Sequence, residues 1–196
     1  MKILVACEES QAVCKAFRKK GHQAYSLDII PCSGGHPEWH LQMDAIKALS
    51  PIYKWDMIIA FPPCTYLSVA GANSLYRGKK LNFIRYKKGM LAKRFFMRIL
   101  NAKCKKICVE NPTQLKIFNI PKHAQTIQPY MFGHPFLKRT NLWLKGLKPL
   151  KATNIVDVES CTRQAGNWFN KGGKDRQKNR SKTFPGIAAA MAEQWG

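Results

Sequence analysis

The strongest constraint on this chain is a set of short, unbroken apolar runs, each followed directly by a group that carries chemistry. Residues 2–6 read KILVA and lead into Cys7, Glu8 and Glu9. Residues 56–61 read DMIIAF and lead into Pro62, Pro63 and Cys64, and residues 106–109 read KICV and lead into Glu110. Apolar runs without polar alternation are the pattern of strands covered on both faces, as in a parallel sheet. Helical periodicity lies between them. Residues 11–20 put Ala12, Val13, Ala16 and Phe17 on one face, with Ser10 as the expected N-cap and Gly21 as the stop. A second helix is expected from about 89 to 102, facing the core through Leu91, Phe95 and Ile99. Residues 23–27, closed by Asp28, read as another strand. Residues 126–132 and 140–144 read as two later strands joined by a turn with Gly133 and Pro135, and residues 187–194 as a terminal helix. The alternation predicts an α/β fold, a mostly parallel doubly wound sheet with a late antiparallel strand pair.

Such sheets bind ligands at the carboxyl ends of their strands. Glu8, Glu9, Asp28, Asp44 and Glu110 all fall at or just after expected strand ends, and Glu110 is the only acid between Asp56 and Asp157. Acids are scarce overall: 33 Lys+Arg face 11 Asp+Glu, a formal charge of +22. A surface this basic points to a polyanionic partner, with nucleic acid first and an acidic membrane surface as the rival. No apolar run approaches the roughly 20 residues that span a bilayer. The opening run is too short for a signal-peptide core. A cytoplasmic or nucleoid location is therefore expected.

The 7 cysteines form no CxxC pair, so the question in a reducing compartment is which thiol reacts. Cys64 follows a buried strand and sits at the ligand edge, where positive charge or a helix terminus would activate a thiolate. Glu110 follows another strand and can exchange a proton with the group under attack. Cys32, His36 and His40 have the spacing of metal ligands, but the prolines and glycines among them and the lack of a fourth ligand argue against zinc. Cys104 and Cys108 read as packing residues. His134 reads equally as a substrate contact and as a structural loop residue.

Pro62-Pro63-Cys64 followed downstream by Glu110-Asn111 resembles the motif pair of the DNA cytosine-5 methyltransferases, especially their compact phage and prophage branch. The resemblance covers nearly the whole chain. Residues 133–140 (GHPFLKRT) are similar to that family's arginine motif, and residues 180–195 to its last motif, a loop and helix beside the cofactor. It implies a Rossmann-like fold that binds S-adenosylmethionine through Ala6, Cys7, Glu8, Glu9, Ser10 and Pro62. Asp28 and Asp44 match the acids that hold the ribose and adenine. It also implies a mechanism in which the Cys64 thiolate adds to carbon 6 of a flipped cytosine and Glu110 protonates or hydrogen-bonds the ring nitrogen. Arg139 would hold or polarise the base. Carbon 5 would accept the methyl group and then lose its proton, and the thiolate would leave.

Two features depart from that family. Its cofactor loop is usually glycine-rich, and residues 6–11 (ACEESQ) contain no glycine. A cofactor without phosphates needs less of a glycine cradle, and Glu8 or Glu9 would bind its ammonium group. A separate target-recognition domain is also minimal or absent. The chain reads as one catalytic domain over residues 1–196, with a small basic insertion at 141–182 and a C-terminal loop and helix at 183–196 packing near the cofactor.

Residues 73–88 hold six cations and no acid; the resemblance implies a mobile loop at this position, and the cations Arg77, Lys79, Lys80, Arg85, Lys87 and Lys88 are expected to contact phosphates. Residues 163–182 hold seven cations against Asp175, with Lys171, Lys174 and Arg176 in an arm expected to touch DNA. The expected partner is DNA, with no metal and no membrane. Two alternatives stay open: modification of RNA cytosine or another thiolate-addition chemistry, and a nucleic-acid-binding protein that has lost catalysis.

Overall fold

The computed structural model describes residues 1–163 and 182–196. In chain order the elements are β1 (Lys2–Ala6), α1 (Ala12–Lys19), β2 (Gln23–Asp28), β3 (His40–Gln42), α2 (Ala45–Ala48), β4 (Met57–Ala60) and α3 (Ala72–Leu75). There follow β5 (Tyr76–Arg77), β6 (Lys80–Leu81), α4 (Phe83–Leu100), β7 (Lys106–Asn111), β8 (Gln125–Ile127), β9 (Phe136–Leu137), β10 (Thr140–Lys145), β11 (Thr162–Arg163) and α5 (Pro185–Trp195).

Among the described residues, seven strands form one sheet in the order β3-β2-β1-β4-β7-β10-β8. The first five are parallel, while β10 runs antiparallel to both of its neighbours. The mostly parallel α/β sheet with late antiparallel pairing is therefore present. Side-chain alternation builds two cores. Ile3, Val5, Met57, Ile59 and Cys108 face α1 and α5, where Val13, Phe17, Ile187 and Met191 meet them. Leu4, Ala6, Ile58, Ala60, Ile107 and Val109 face the other way, onto Leu75, Phe96 and Ile99. All four residues of β4 are buried, as a central parallel strand requires.

Three local expectations are corrected. Ser10 does not cap α1: Gln11 occupies the cap position without a side-chain cap bond, and Glu8 takes the amide protons of Val13 and Cys14 instead. Helix α4 begins at Phe83, not near 89, because the Asn82 side chain accepts from the Arg85 amide and starts it there. Its buried residues are Gly89, Phe96 and Ile99, whereas Leu91 is 64% exposed. A Cβ at Gly89 would collide with the Phe118 ring, so this glycine sets the face on which the helix packs. The strand expected over 126–132 stops at Ile127, and a 3-10 turn starts at Pro129, which cannot donate to a ladder.

Residues 73–88 accordingly form no continuous loop. They comprise most of α3, a β5–β6 hairpin turning at Gly78 (φ +60°), and the first turns of α4. Asn141 and the residues after it enter the main sheet in β10, and β11 then pairs with β9. No helix among the described residues is long and apolar enough to cross a membrane.

Candidate active site

Parallel strands β1, β2, β4 and β7 bring their carboxyl ends to one edge of the sheet. On the β1–β2 side, the chain leaves Ala6 and enters Cys7 at φ +59°, then reaches Gln11, also at φ +59°. This is the left-handed region that glycine enters freely and other residues enter at a cost of order 1 kcal/mol. The loop lacks glycine yet keeps glycine-like backbone at two positions. Side chains hold it there. Glu8 is buried and accepts from Val13 N at 2.6 Å and Cys14 N at 3.2 Å. Burial pushes its carboxyl up to about 8, although those two bonds and Lys15 pull the other way. Gln11 is fully buried; its amide donates to the Ser26 hydroxyl and His36 carbonyl and accepts from the His36 amide. Glu9 is also buried, and its carbonyl accepts from Ser33 N.

Asp28 and Asp44 converge on Cys7. Burial first, and then these two carboxylates, push the Cys7 thiol up to about 12. Asp44 caps α2 by accepting from Ile46 N at 2.7 Å, and Asp28 accepts from Ile30 N. Beside Asp28, Ile29 and Ile30 are 73% and 44% exposed. Two carboxylates next to exposed aliphatic side chains fit the ribose and ring of an adenosine. The amino-acid end fits less simply, because the Glu8 carboxylate is engaged by α1.

On the β4–β7 side, Cys64 is partly exposed, and its carbonyl accepts from Leu67 N and Ser68 N, so the residue opens a turn. The turn is bound to the end of β7. Asn111, buried, donates from Nδ2 to the Pro62 carbonyl at 2.7 Å. Gln114 Nε2 donates to Asn111 Oδ1 and to the Pro112 carbonyl. Val69 N donates to Thr113 O and Leu115 N to Leu67 O. Arg85 adds a fourth tie, donating from Nη2 to the Thr65 carbonyl at 2.7 Å while lying over the Tyr66 ring.

Glu110 lies one residue before Asn111 in β7. Burial raises its carboxyl above the ordinary range, while Lys138 and a hydrogen bond with the Thr140 hydroxyl draw it back down. Antiparallel pairing of Asn141 with Asn111 brings the start of β10 to this edge, so Lys138 and Thr140 arrive next to Glu110, while Arg139 between them is exposed. The arrangement can hold a proton on a carboxyl near a thiol-bearing turn.

The remaining expected residues divide. Pro62 is buried and anchors the turn through its carbonyl. Lys79, Lys80, Lys87 and Lys88 are exposed, and Arg77 lies in β5. Lys88 shares the Tyr66 ring with Arg85, which places both cations at the Cys64 turn. Lys171, Lys174 and Arg176 lie outside the described residues. His134 accepts from Gly186 N at 3.0 Å and packs on Phe184, so it starts α5. His40 bonds Ser26 and the Ile30 carbonyl, and His36 stacks on Trp39. Among the described residues, no group of three or more His, Cys, Asp or Glu could hold a metal ion. Sequence reasoning missed the tethering roles of Asn111, Gln114 and Arg85, and the approach of Lys138 and Thr140 to Glu110. The available signal was Asn111 itself, an amide at the end of an apolar strand, where a buried polar group needs partners.

No family model matches the chain, and no curated protein does. Among solved structures it is similar to a protein encoded within a prophage of E. coli and described as a candidate DNA modification methyltransferase. The identity is 14% and the TM-score 0.42, over 72% of this chain and 45% of that one. The chain thus spans less than half the length of that protein.

Proposed function

We propose that the chain methylates carbon 5 of cytosine in DNA through a covalent Cys64 adduct. The observation that carries the proposal is the bond from Asn111 to the Pro62 carbonyl, which ties the Cys64 turn to the strand end that bears Glu110. A nucleophile and a proton-bearing acid are thereby held at adjacent strand ends, as addition across a pyrimidine ring requires. The Cys64 thiolate adds to carbon 6. Glu110, whose carboxyl holds its proton above the ordinary range, supplies that proton or a hydrogen bond to the ring nitrogen. Lys138, whose charge acts on Glu110, and Arg139, both just ahead of β10, would offset the charge that develops on the base. Asp28, Asp44 and the exposed Ile29 and Ile30 would hold the adenosine end of S-adenosylmethionine, with Ala6 and Cys7 at the base of that site. That cofactor, when bound, supplies the methyl group that carbon 5 takes up.

Duplex DNA carrying 5-fluorocytosine tests this, because fluorine blocks proton loss from carbon 5. A covalent complex is expected with the native chain and none with Cys64→Ser. Trapping that survives Cys64→Ser, or is abolished only by loss of another cysteine, overturns the assignment. The same probe built into RNA distinguishes the substrates. The self-filled loop around Gln11 favours a second reading, a nucleic-acid-binding protein without catalysis. Calorimetry with S-adenosylmethionine separates it: no binding supports that reading.

A further inference from the structure

A second concave site lies beside α1, along the β2–β3 side of the sheet. The cleft, about 610 Å³, is lined by Lys15, Arg18 and Lys19 of α1, by Gly21, His22 and Gln23 leading into β2, and by His36 and Trp39 before β3. The cleft runs along α1, from Gly21 to Gln23 at the amino end of β2 to His36, whose backbone Gln11 bonds, on the side of the sheet edge away from β4 and β7.

Its walls are built. The Arg18 guanidinium is centred 4.5 Å over the Trp39 ring and 5.3 Å over Tyr25, and its Nε donates to the Ala24 carbonyl at 2.7 Å. Trp39 in turn stacks on His36, with centroids 3.7 Å apart and planes 9° apart. Lys15 donates to the Gly34 carbonyl, and Lys19 has no ion-pair partner among the described residues. Lys20, next along the helix, is taken by Glu193. None of the lining residues is acidic, and Glu38, beside the cleft, bonds the His36 ring at 3.0 Å. That leaves one end aromatic, with its outer His36 ring half exposed, and the other end cationic.

Aromatic rings beside fixed cations are the chemistry that receives a nucleotide: a base has a π-face for the ring, and a phosphate matches lysine ammoniums. The volume is of the size that such a unit fills. We propose that this cleft is a second nucleotide-binding site, with a base stacked on the open face of the His36–Trp39 pair and its phosphate against Lys15 and Lys19, while Arg18 backs Trp39 from the opposite face. Glu38 at the aromatic end repels a phosphate there and so fixes the polarity of the bound unit. The nucleotide comes from one of two sources, a free mononucleotide or a segment of a nucleic-acid strand. In the second case the chain contacts nucleic acid along the β2–β3 side of its sheet as well as at Cys64.

The test uses the full chain labelled with nitrogen-15, following the Trp39 indole and His36 imidazole resonances at low salt. The titrants are inorganic phosphate, cytidine 5′-monophosphate and a ten-nucleotide single strand. Both nucleotide ligands are expected to move these resonances, with inorganic phosphate roughly tenfold weaker. Lys15→Glu with Lys19→Glu replaces two exposed side chains, so the rest of the spectrum stays put while nucleotide affinity falls by roughly tenfold or more. A strand that binds tighter than the mononucleotide identifies nucleic acid as the source, and equal affinities identify the free nucleotide. No movement of either resonance, equal affinity for bare phosphate, or an unaffected double variant overturns the site. None of these readouts depends on whether Cys64 reacts.

Discussion

The two halves of the sheet's carboxyl edge are held in opposite ways. On the β1–β2 half, the loop is closed by its own side chains: Glu8 and Gln11 are buried, and each spends its polar atoms on backbone within or beside the loop. On the β4–β7 half, the Cys64 turn is held from outside, by Asn111, Gln114 and Arg85 of other segments, and Cys64 itself stays partly exposed. A loop fixed by its own polar atoms has few left for a ligand. A turn fixed from behind keeps its reactive face open. The first half is therefore closed on itself, and the second leaves Cys64 open for the chemistry proposed above.

The sharpest way to test that division is at Glu110. Glu110→Gln is expected to cut methyl transfer by roughly a hundredfold or more, as loss of a general acid does, while DNA affinity by electrophoretic shift stays near native. Native turnover would remove Glu110 from the mechanism. Asn111→Ala comes next. It releases the Pro62 carbonyl and leaves buried groups unpaired, costing about 1–3 kcal/mol in urea unfolding. Adduct formation with the fluorinated substrate should slow by roughly tenfold or more beyond any loss of folded protein. An unchanged trapping rate in the folded fraction would show that the tether does not position Cys64.

On the other half the expected effects are on stability. Folded Glu8 keeps its proton to about pH 8, whereas an unfolded glutamate releases it near 4.5. The stability that Glu8 contributes is therefore full below about 4.5 and is lost as pH climbs toward 8. Glu8→Gln should flatten this fall, seen as a smaller loss of Tm, by a few degrees, between pH 5 and 8. Equal slopes for the two proteins would contradict the burial argument. The smallest effect is at Cys7. Cys7→Gly relieves the backbone at φ +59° but frees the unfolded chain, so the net change is expected within about 1 kcal/mol. A large destabilisation would mean that the Cys7 side chain, and not the loop's polar clamps, holds this half together.

Much of this was legible from residue order, and the places where it was not have physical causes. Strands β1, β4 and β7 could be read because three or more consecutive apolar residues without polar alternation fit an element covered on both faces. That Cys64 and Glu110 lie at the ends of strands could be read because each follows such a run. The start of α4 was hidden: its first turns carry Phe83 at 58% and Ile84 at 72% exposure, apolar residues that face solvent and blur the helical period. Ser10 looked like a cap by type, but the left-handed backbone at Gln11 turned the helix start toward Glu8. His36 and His40 had metal-ligand spacing but were placed by a tryptophan ring and a serine hydroxyl.

What the sequence determined by itself is the layering and the chemistry available at its edge. Apolar runs demand cover, and the polar residues after them must emerge where the strands end. What only the tertiary structure decided is which of those residues meet. The Asn111–Pro62 bond joins positions 49 residues apart, and Lys138 and Thr140 reach Glu110 only because β10 inserts in reverse beside β7. Pairing and register across a sheet depend on long-range contacts that no local pattern encodes, because every buried apolar strand looks alike to its neighbours until the whole set is packed.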